Sequence, residues 1–200
     1  MKIINGWGEI REMLNSDMTA DLHERASKIR LLLMDVDGVL TDGKFYFMTG
    51  PDGEVTETKG FDSQDGIALQ WLRRKGIMAG LISGRISPAT TARADTAGFR
   101  YVYQGKLEKI PILEEIKADA GLESAQIAYM GDDFTDVVVM HRVGLSIAPN
   151  NAAPEVKREA DFITTASGGS GAVREAVKLI LRAQGLWTEI LQEYEIPPES

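Results

Sequence analysis

Leu31-Leu32-Leu33-Met34-Asp35-Val36-Asp37-Gly38 decides the reading of this chain. Four consecutive apolar residues fit a strand buried on both faces of a parallel sheet, and the run ends abruptly in carboxylates. A second stretch repeats the pattern: Ile127-Ala128-Tyr129-Met130 leads into Gly131-Asp132-Asp133, with Asp136 close behind. Each acidic run sits where a buried strand would end, and ligands of open α/β sheets bind at the carboxyl ends of strands. Two carboxylates about 4 Å apart repel by about 4 kcal/mol at an effective dielectric of 20. A fold that gathers several of them therefore holds a cation, and the simplest reading is a Mg²⁺ site that handles phosphate.

Outward from these runs, short apolar segments alternate with helical patterns from Arg30 onward, the signature of βα units around a parallel sheet. Strands are expected near 31–35, 78–82, 101–103, 127–130, 145–147 and 162–164. Ile67, Ala68, Trp71 and Leu72 share a helical face, and Ile112, Leu113 and Ile116 mark another helix. Ser87-Pro88 reads as an N-cap followed by proline at the first helical position, with Gly98 as the stop. Residues 171–184 and 186–195 carry helical spacing on either side of Gly185, forming a helical tail. Lys44 to Met48 and Glu54 to Thr58 flank Thr49-Gly50-Pro51-Asp52-Gly53, which predicts a β-hairpin projecting over the sheet's carboxyl edge as a flap. Residues 1–28 read as an N-terminal extension with a short amphipathic helix near Asp21 to Lys28, ahead of one domain over 29–200. The fold class is thus α/β, a Rossmann-like parallel sheet flanked by helices with a hairpin flap.

The chain has 200 residues, 44% hydrophobic and 26% charged, enough for one domain with a real core. No apolar run approaches the roughly 20 residues of a membrane span, and the first residues lack the pattern of a signal peptide. No membrane association is expected, and the protein is expected in the cytoplasm. The absence of cysteine excludes disulfides, thiolate metal sites and thiol catalysis. A formal charge of −8 argues against nucleic-acid binding, since phosphate backbones demand a basic surface. A small anionic substrate would need cations supplied locally. His23 and His141 stand on polar helical faces and read as surface residues, while Trp71 and Trp187 read as packing.

Asp35-Val36-Asp37-Gly38-Val39-Leu40-Thr41 after an apolar strand resembles the D-x-D-G-x-[LV]-[TS] motif of haloacid dehalogenase-type phosphotransferases. Ser83 in Ile82-Ser83-Gly84-Arg85, a later helix-start lysine, and Gly131-Asp132-Asp133 with Asp136 follow in that family's order. Physical reasoning gives each residue a task. Beside Mg²⁺, the Asp35 carboxylate can attack phosphorus and form an aspartyl-phosphate. Asp37 can protonate the leaving oxygen and later deprotonate water. Asp132 would complete a metal shell with Asp35 and the main-chain carbonyl of Asp37. Asp133 and Asp136 would orient waters or the lysine from outside that shell, or cap the following helix. Ser83 and a lysine would hold the phosphoryl oxygens. Of Lys106 and Lys109, the resemblance favours Lys109, four positions past Gly105 in its Gln-Gly-x-x-x-Lys pattern.

With only the 44–58 hairpin inserted, the chain lacks a cap domain. It resembles the capless 3-deoxy-D-manno-octulosonate (KDO) 8-phosphate phosphatases, and their relatives acting on nine-carbon sialic-acid-type 9-phosphates, over about residues 29–186. The resemblance rests on Asp35 to Gly43, Asp65-Gly66, Ile82 to Arg85, Gln104-Gly105, Gly131-Asp132-Asp133 and Gly168 to Glu175. It implies a sugar-acid phosphate substrate and Mg²⁺. It also implies a homotetramer whose hairpins form a central barrel, consistent with apolar Phe45 to Met48, and a C-terminal segment reaching towards a neighbour's site. It further implies substrate contacts from Thr41, Asp65, Gly84, Arg85 and Arg93, the arginines as carboxylate or sugar clamps. One departure is Gln64, where the subgroup usually carries arginine, which keeps the nine-carbon acids as the alternative substrate. A phospho-Asp receiver domain shares the Mg²⁺, Asp, Ser/Thr and Lys set, but its acidic pair precedes the phosphorylated Asp, the reverse of the order here.

Overall fold

The computed structural model describes residues 19–197. Six parallel strands form the sheet: β1 (Leu31–Met34), β4 (Met78–Ile82), β5 (Tyr101–Tyr103), β6 (Ile127–Met130), β7 (Leu145–Ala148) and β8 (Phe162–Ile163). Their order is β5-β4-β1-β6-β7-β8, so β1 lies centrally, with later strands added first to one side and then to the other. This reversal opens a crevice at the carboxyl end of β1, the position where doubly wound sheets bind ligands.

Register explains why the two acidic runs meet. Leu31 pairs with Ile127 and Met34 with Met130, so β1 and β6 end level. The Asp35 amide then donates to the Met130 carbonyl at 2.9 Å. All four residues of β1 and of β6 are buried. Successive side chains go to opposite faces, as strand geometry requires. Leu32 and Met34 join the core beneath helices α1 (Ala20–Ser27), α2 (Ser63–Arg74), α3 (Pro88–Ala97), α7 (Ala172–Ala183) and α8 (Trp187–Glu193). Leu31 and Leu33 join the core beneath α4 (Lys109–Ala120), α5 (Phe134–Met140) and α6 (Pro154–Arg158).

The expected elements are present, with local differences that have causes. Pro88 opens α3 and Gly98, at φ +70°, closes it, but Ser87 makes no side-chain cap; its amide donates instead to Gln104 Oε1 at 2.8 Å. The hairpin is β2 (Tyr46–Thr49) against β3 (Val55–Thr58), with Tyr46 opposite Thr58. Its first arm starts two residues later than expected, because the Lys44 amide is turned onto Asp42 Oδ1 at 3.0 Å. Helix α1 matches the expected leader helix, yet it is part of the domain: Leu22 and Ala26 are buried in the main core. Residues 1–18 of the expected extension lie outside the described residues. Trp71 and Trp187 pack edge to face at 5.5 Å, and Trp71 Nε1 donates to the Tyr194 hydroxyl. His23 and His141 are exposed, as expected, and His141 meets Glu159 at 2.9 Å. Among the described residues no helix is long and apolar enough to cross a membrane.

Candidate active site

A cavity of about 300 Å³ opens at the carboxyl ends of β1, β4 and β6, lined by Asp35, Asp37, Ser83, Gly84, Arg85, Lys109, Asp132 and Asp133. Lys109, the first residue of α4, is its centre of charge. The ammonium donates to Asp35 Oδ1 at 2.8 Å, to Asp136 Oδ1 at 2.7 Å and to the Tyr129 hydroxyl at 3.1 Å. Burial works against its charge, yet Asp35 and Asp136 outweigh burial and hold its pKa above the ordinary lysine value. Lys106, the alternative lysine, is exposed and touches the site only through its amide, which donates to the Ser83 carbonyl at 2.9 Å.

Asp136 serves both of the tasks considered for it. Its Oδ2 accepts the amides of Asp132 and Asp133 at 3.0 and 3.2 Å, capping α5, while its Oδ1 orients Lys109 and accepts from Tyr129 at 2.7 Å. Asp133 is the N-cap of α5 and accepts from the Phe134 amide at 2.7 Å. Asp132 is different. Its Oδ1 is buried without a hydrogen-bond partner, the kind of polar group that native structures rarely leave alone.

Carboxylate oxygens of Asp35, Asp132 and Asp136 lie within 4.8 Å of one another. Burial is the main cause that raises Asp132 to a pKa of about 8, with Asp136 and Asp35 adding to it. Burial likewise raises Asp35 to about 6, against the pull of Lys109. Because Asp136 is spent on Lys109, Tyr129 and two amides, Asp35 and Asp132 are the carboxylates left to meet a cation. The donor set is all oxygen, the chemistry a hard divalent ion takes.

Around this centre the loops are braced by contacts that leave no room for larger side chains. A Cβ on Gly168 would stand 1.9 Å from the Gly38 carbonyl oxygen. Asn151 ties the same two residues: its Nδ2 donates to the Gly38 carbonyl at 2.9 Å and its Oδ1 accepts the Gly168 amide at 2.6 Å.

Three residues expected at the substrate stand elsewhere in their own subunit. Thr41 is buried; its hydroxyl donates to the Val36 carbonyl and accepts from the amides of Gly38 and Gly43, shaping the loop instead of lining the cavity. Asp65 is buried against the start of α7 and accepts the Arg174 amide at 2.8 Å, where the helix dipole favours an anion. Burial raises its pKa to about 6. Arg93 crosses the first turn of α2, donating to the Asp62 carbonyl at 2.8 Å; Gly66 permits this, since a Cβ there would stand 2.8 Å from the guanidinium. Gln64 is exposed on α2 and does not line the cavity.

Arg85 does line the cavity. Its guanidinium pairs with Glu57 of the hairpin, lies 4.2 Å from the Phe45 ring centroid, and reaches within 3.8 Å of Asp37 Oδ2. Sequence reading missed Glu57, Tyr129, Asn151 and Lys59, whose ammonium pairs with Asp37. Tyr129 carried a signal, a hydroxyl within an apolar strand directly before the acidic run. Lys59 carried none, because a lysine ending a hairpin ordinarily faces water.

The comparisons fit this geometry. Residues 78–176 match the family model for haloacid dehalogenase-like hydrolases. The chain is 42% identical over 164 residues to the KDO 8-phosphate phosphatase of Yersinia pestis, covering 82% of this chain and 86% of the relative. It is 39% identical over 168 residues to that of Escherichia coli, covering 84% and 87%. A crystal structure of the Yersinia pestis phosphatase superposes with a TM-score of 0.80 at 40% identity, covering 84% of this chain and 89% of that one. The Moraxella catarrhalis phosphatase, solved with magnesium, phosphate and KDO, gives 0.81 at 36% identity over 87% and 98%. At this identity over most of both chains, the chain belongs to the family of 3-deoxy-D-manno-octulosonate 8-phosphate phosphatases within the haloacid dehalogenase-like hydrolases.

Proposed function

We propose that this chain is a Mg²⁺-dependent phosphomonoesterase that hydrolyses KDO 8-phosphate to KDO and phosphate in the cytoplasm. The observation that carries the reading is the pairing of Asp35 with Lys109 beside the unpartnered Oδ1 of Asp132, in one cavity with Ser83. Asp35, Asp132 and the main-chain carbonyl of Asp37 would hold Mg²⁺, which when bound offsets carboxylate repulsion and polarises the phosphoryl group. Lys109 restrains the Asp35 carboxylate, so the nucleophile meets phosphorus with little freedom left to lose. Attack forms the Asp35–phosphorus bond as the phosphorus–sugar oxygen bond breaks, and Asp37 gives that oxygen its proton. Asp37 then takes a proton from water, which attacks phosphorus and frees Asp35. Ser83 and Lys109 stand where the phosphoryl oxygens gather charge in both steps.

Arg85 at the cavity mouth is the cation for the substrate carboxylate, which would compete with Glu57 for it. Because Gln64 does not line this cavity, its departure from the usual arginine does not alter the pocket of its own subunit, and the eight-carbon acid is the favoured substrate. The assembly we propose is a homotetramer formed through the hairpin, supported by Phe47, Met48 and Val55, each 64% exposed on a two-stranded sheet. Phosphate release is measured with KDO 8-phosphate and nine-carbon keto-acid 9-phosphates, with Mg²⁺ and with chelator. The reading requires KDO 8-phosphate to be preferred and activity to vanish with chelator. Asp35→Asn should fold and turn over at least ~10³-fold more slowly; a variant as fast as wild type removes the mechanism.

A further inference from the structure

Lys59 follows β3, and its side chain is only 1% exposed. An ammonium taken out of water costs several kcal/mol unless it is paired. Its partners are Asp37, bound through Oδ1, and Glu57, 3.5 Å away through Oε1; the Phe45 ring centroid lies 5.3 Å off. The second oxygen of Asp37, Oδ2, lies 3.8 Å from Nε of Arg85, which lines the cavity together with Asp37. These partners engage the two oxygens of Asp37 differently, Oδ1 by the lysine and Oδ2 by the arginine.

We infer that Lys59 is a positioning residue for Asp37: by holding Oδ1 it leaves Oδ2 as the oxygen that passes a proton to the departing sugar oxygen as the phosphorus–oxygen bond breaks. The inference rests on the phosphatase reading above. It also ties the hairpin to the chemistry, since Glu57 and Lys59 both belong to its second arm and its exit.

The test compares substrates that differ in their need for that proton. A sugar alkoxide must be protonated as it leaves, whereas 4-nitrophenolate leaves unaided, and kcat/KM reports the steps up to the first irreversible one. Lys59→Met should lower kcat/KM for KDO 8-phosphate about 10²-fold, within the range general-acid catalysis contributes, and that for 4-nitrophenyl phosphate less than about 5-fold. Lys59→Arg, which keeps a cation, should recover most of the loss. In an Asp37→Asn background, Lys59→Met should change the sugar-phosphate kcat/KM less than about 2-fold, because the lysine acts through Asp37.

Equal losses on both substrates, or an undiminished loss in the Asp37→Asn background, overturn the inference. Should Lys59→Met not fold, Lys59→Gln is read on the same substrate ratio, and an unchanged ratio overturns it equally. Failure of the underlying reading is distinct: the wild-type protein would release phosphate from neither substrate.

Discussion

Gly38 and Asp132 approach so closely that a Cβ on Gly38 would stand 2.0 Å from Asp132 Oδ2. Gly38 also has φ +92°, a conformation that other residues adopt only under strain. The loop that carries Asp35 thus approaches the second acidic run only because a glycine stands at the crossing.

Gly38→Ala is therefore expected to push Asp132 out of place. Activity should fall at least ~10²-fold, the scale of a displaced catalytic group. Stability should drop by about 1 to 3 kcal/mol from backbone strain. Steady-state kinetics and urea unfolding check both, and near-normal activity would mean that Asp132 can move without consequence.

Lys109→Met leaves Asp35 and Asp136 facing each other without their shared cation. Removing one partner of a buried ion pair costs about 3 to 5 kcal/mol, so chemical denaturation near neutral pH should show a loss of that size. Lys106→Met, at an exposed position, should change stability by less than about 0.5 kcal/mol.

The raised pKa values of Asp132, about 8, and Asp35, about 6, have a signed consequence. A carboxyl whose folded pKa exceeds its unfolded value contributes stability that is complete below the unfolded value, near 3.8, and is lost as pH rises through the folded one. Metal-free protein should therefore lose stability between about pH 4 and pH 8. Mg²⁺ must displace these protons, so it should raise the melting temperature more at pH 8 than at pH 6. Thermal melts with Mg²⁺ and with chelator at both values test this; equal shifts would place the metal elsewhere.

Phe47→Glu puts a charge among the exposed apolar residues of the hairpin. Sedimentation velocity at micromolar concentration should show a tetramer for the wild-type protein and smaller species for the variant. A wild-type monomer would remove the proposed role of the hairpin.

Much of the site was legible because its chemistry is local in sequence. Apolar runs ending in carboxylates marked β1 and β6, and motif order singled out Ser83 and Lys109, all of which line one cavity. Thr41, Asp65 and Arg93 do not line the cavity of their own subunit, for a common reason. A polar residue beside a motif can serve the substrate or brace the backbone around it, and only its hydrogen-bond partners tell which. The hydroxyl of Thr41 is engaged by its own loop, Oδ1 of Asp65 by the start of α7, and the guanidinium of Arg93 by the carbonyl of Asp62, the N-cap of α2.

By itself the sequence determined the strand–helix alternation, the hairpin and the identity of the acidic centre, since hydrophobic periodicity and a carboxylate after an apolar run are properties of neighbours along the chain. Tertiary structure alone decided that Asp136 is consumed by Lys109 and Tyr129, that Asp132 retains an unpartnered oxygen, and that Lys59 turns inward to Asp37. Those facts depend on distances between residues from different strands, helices and loops, which no local pattern encodes; the level register of β1 and β6 sets the approach of the two acidic runs.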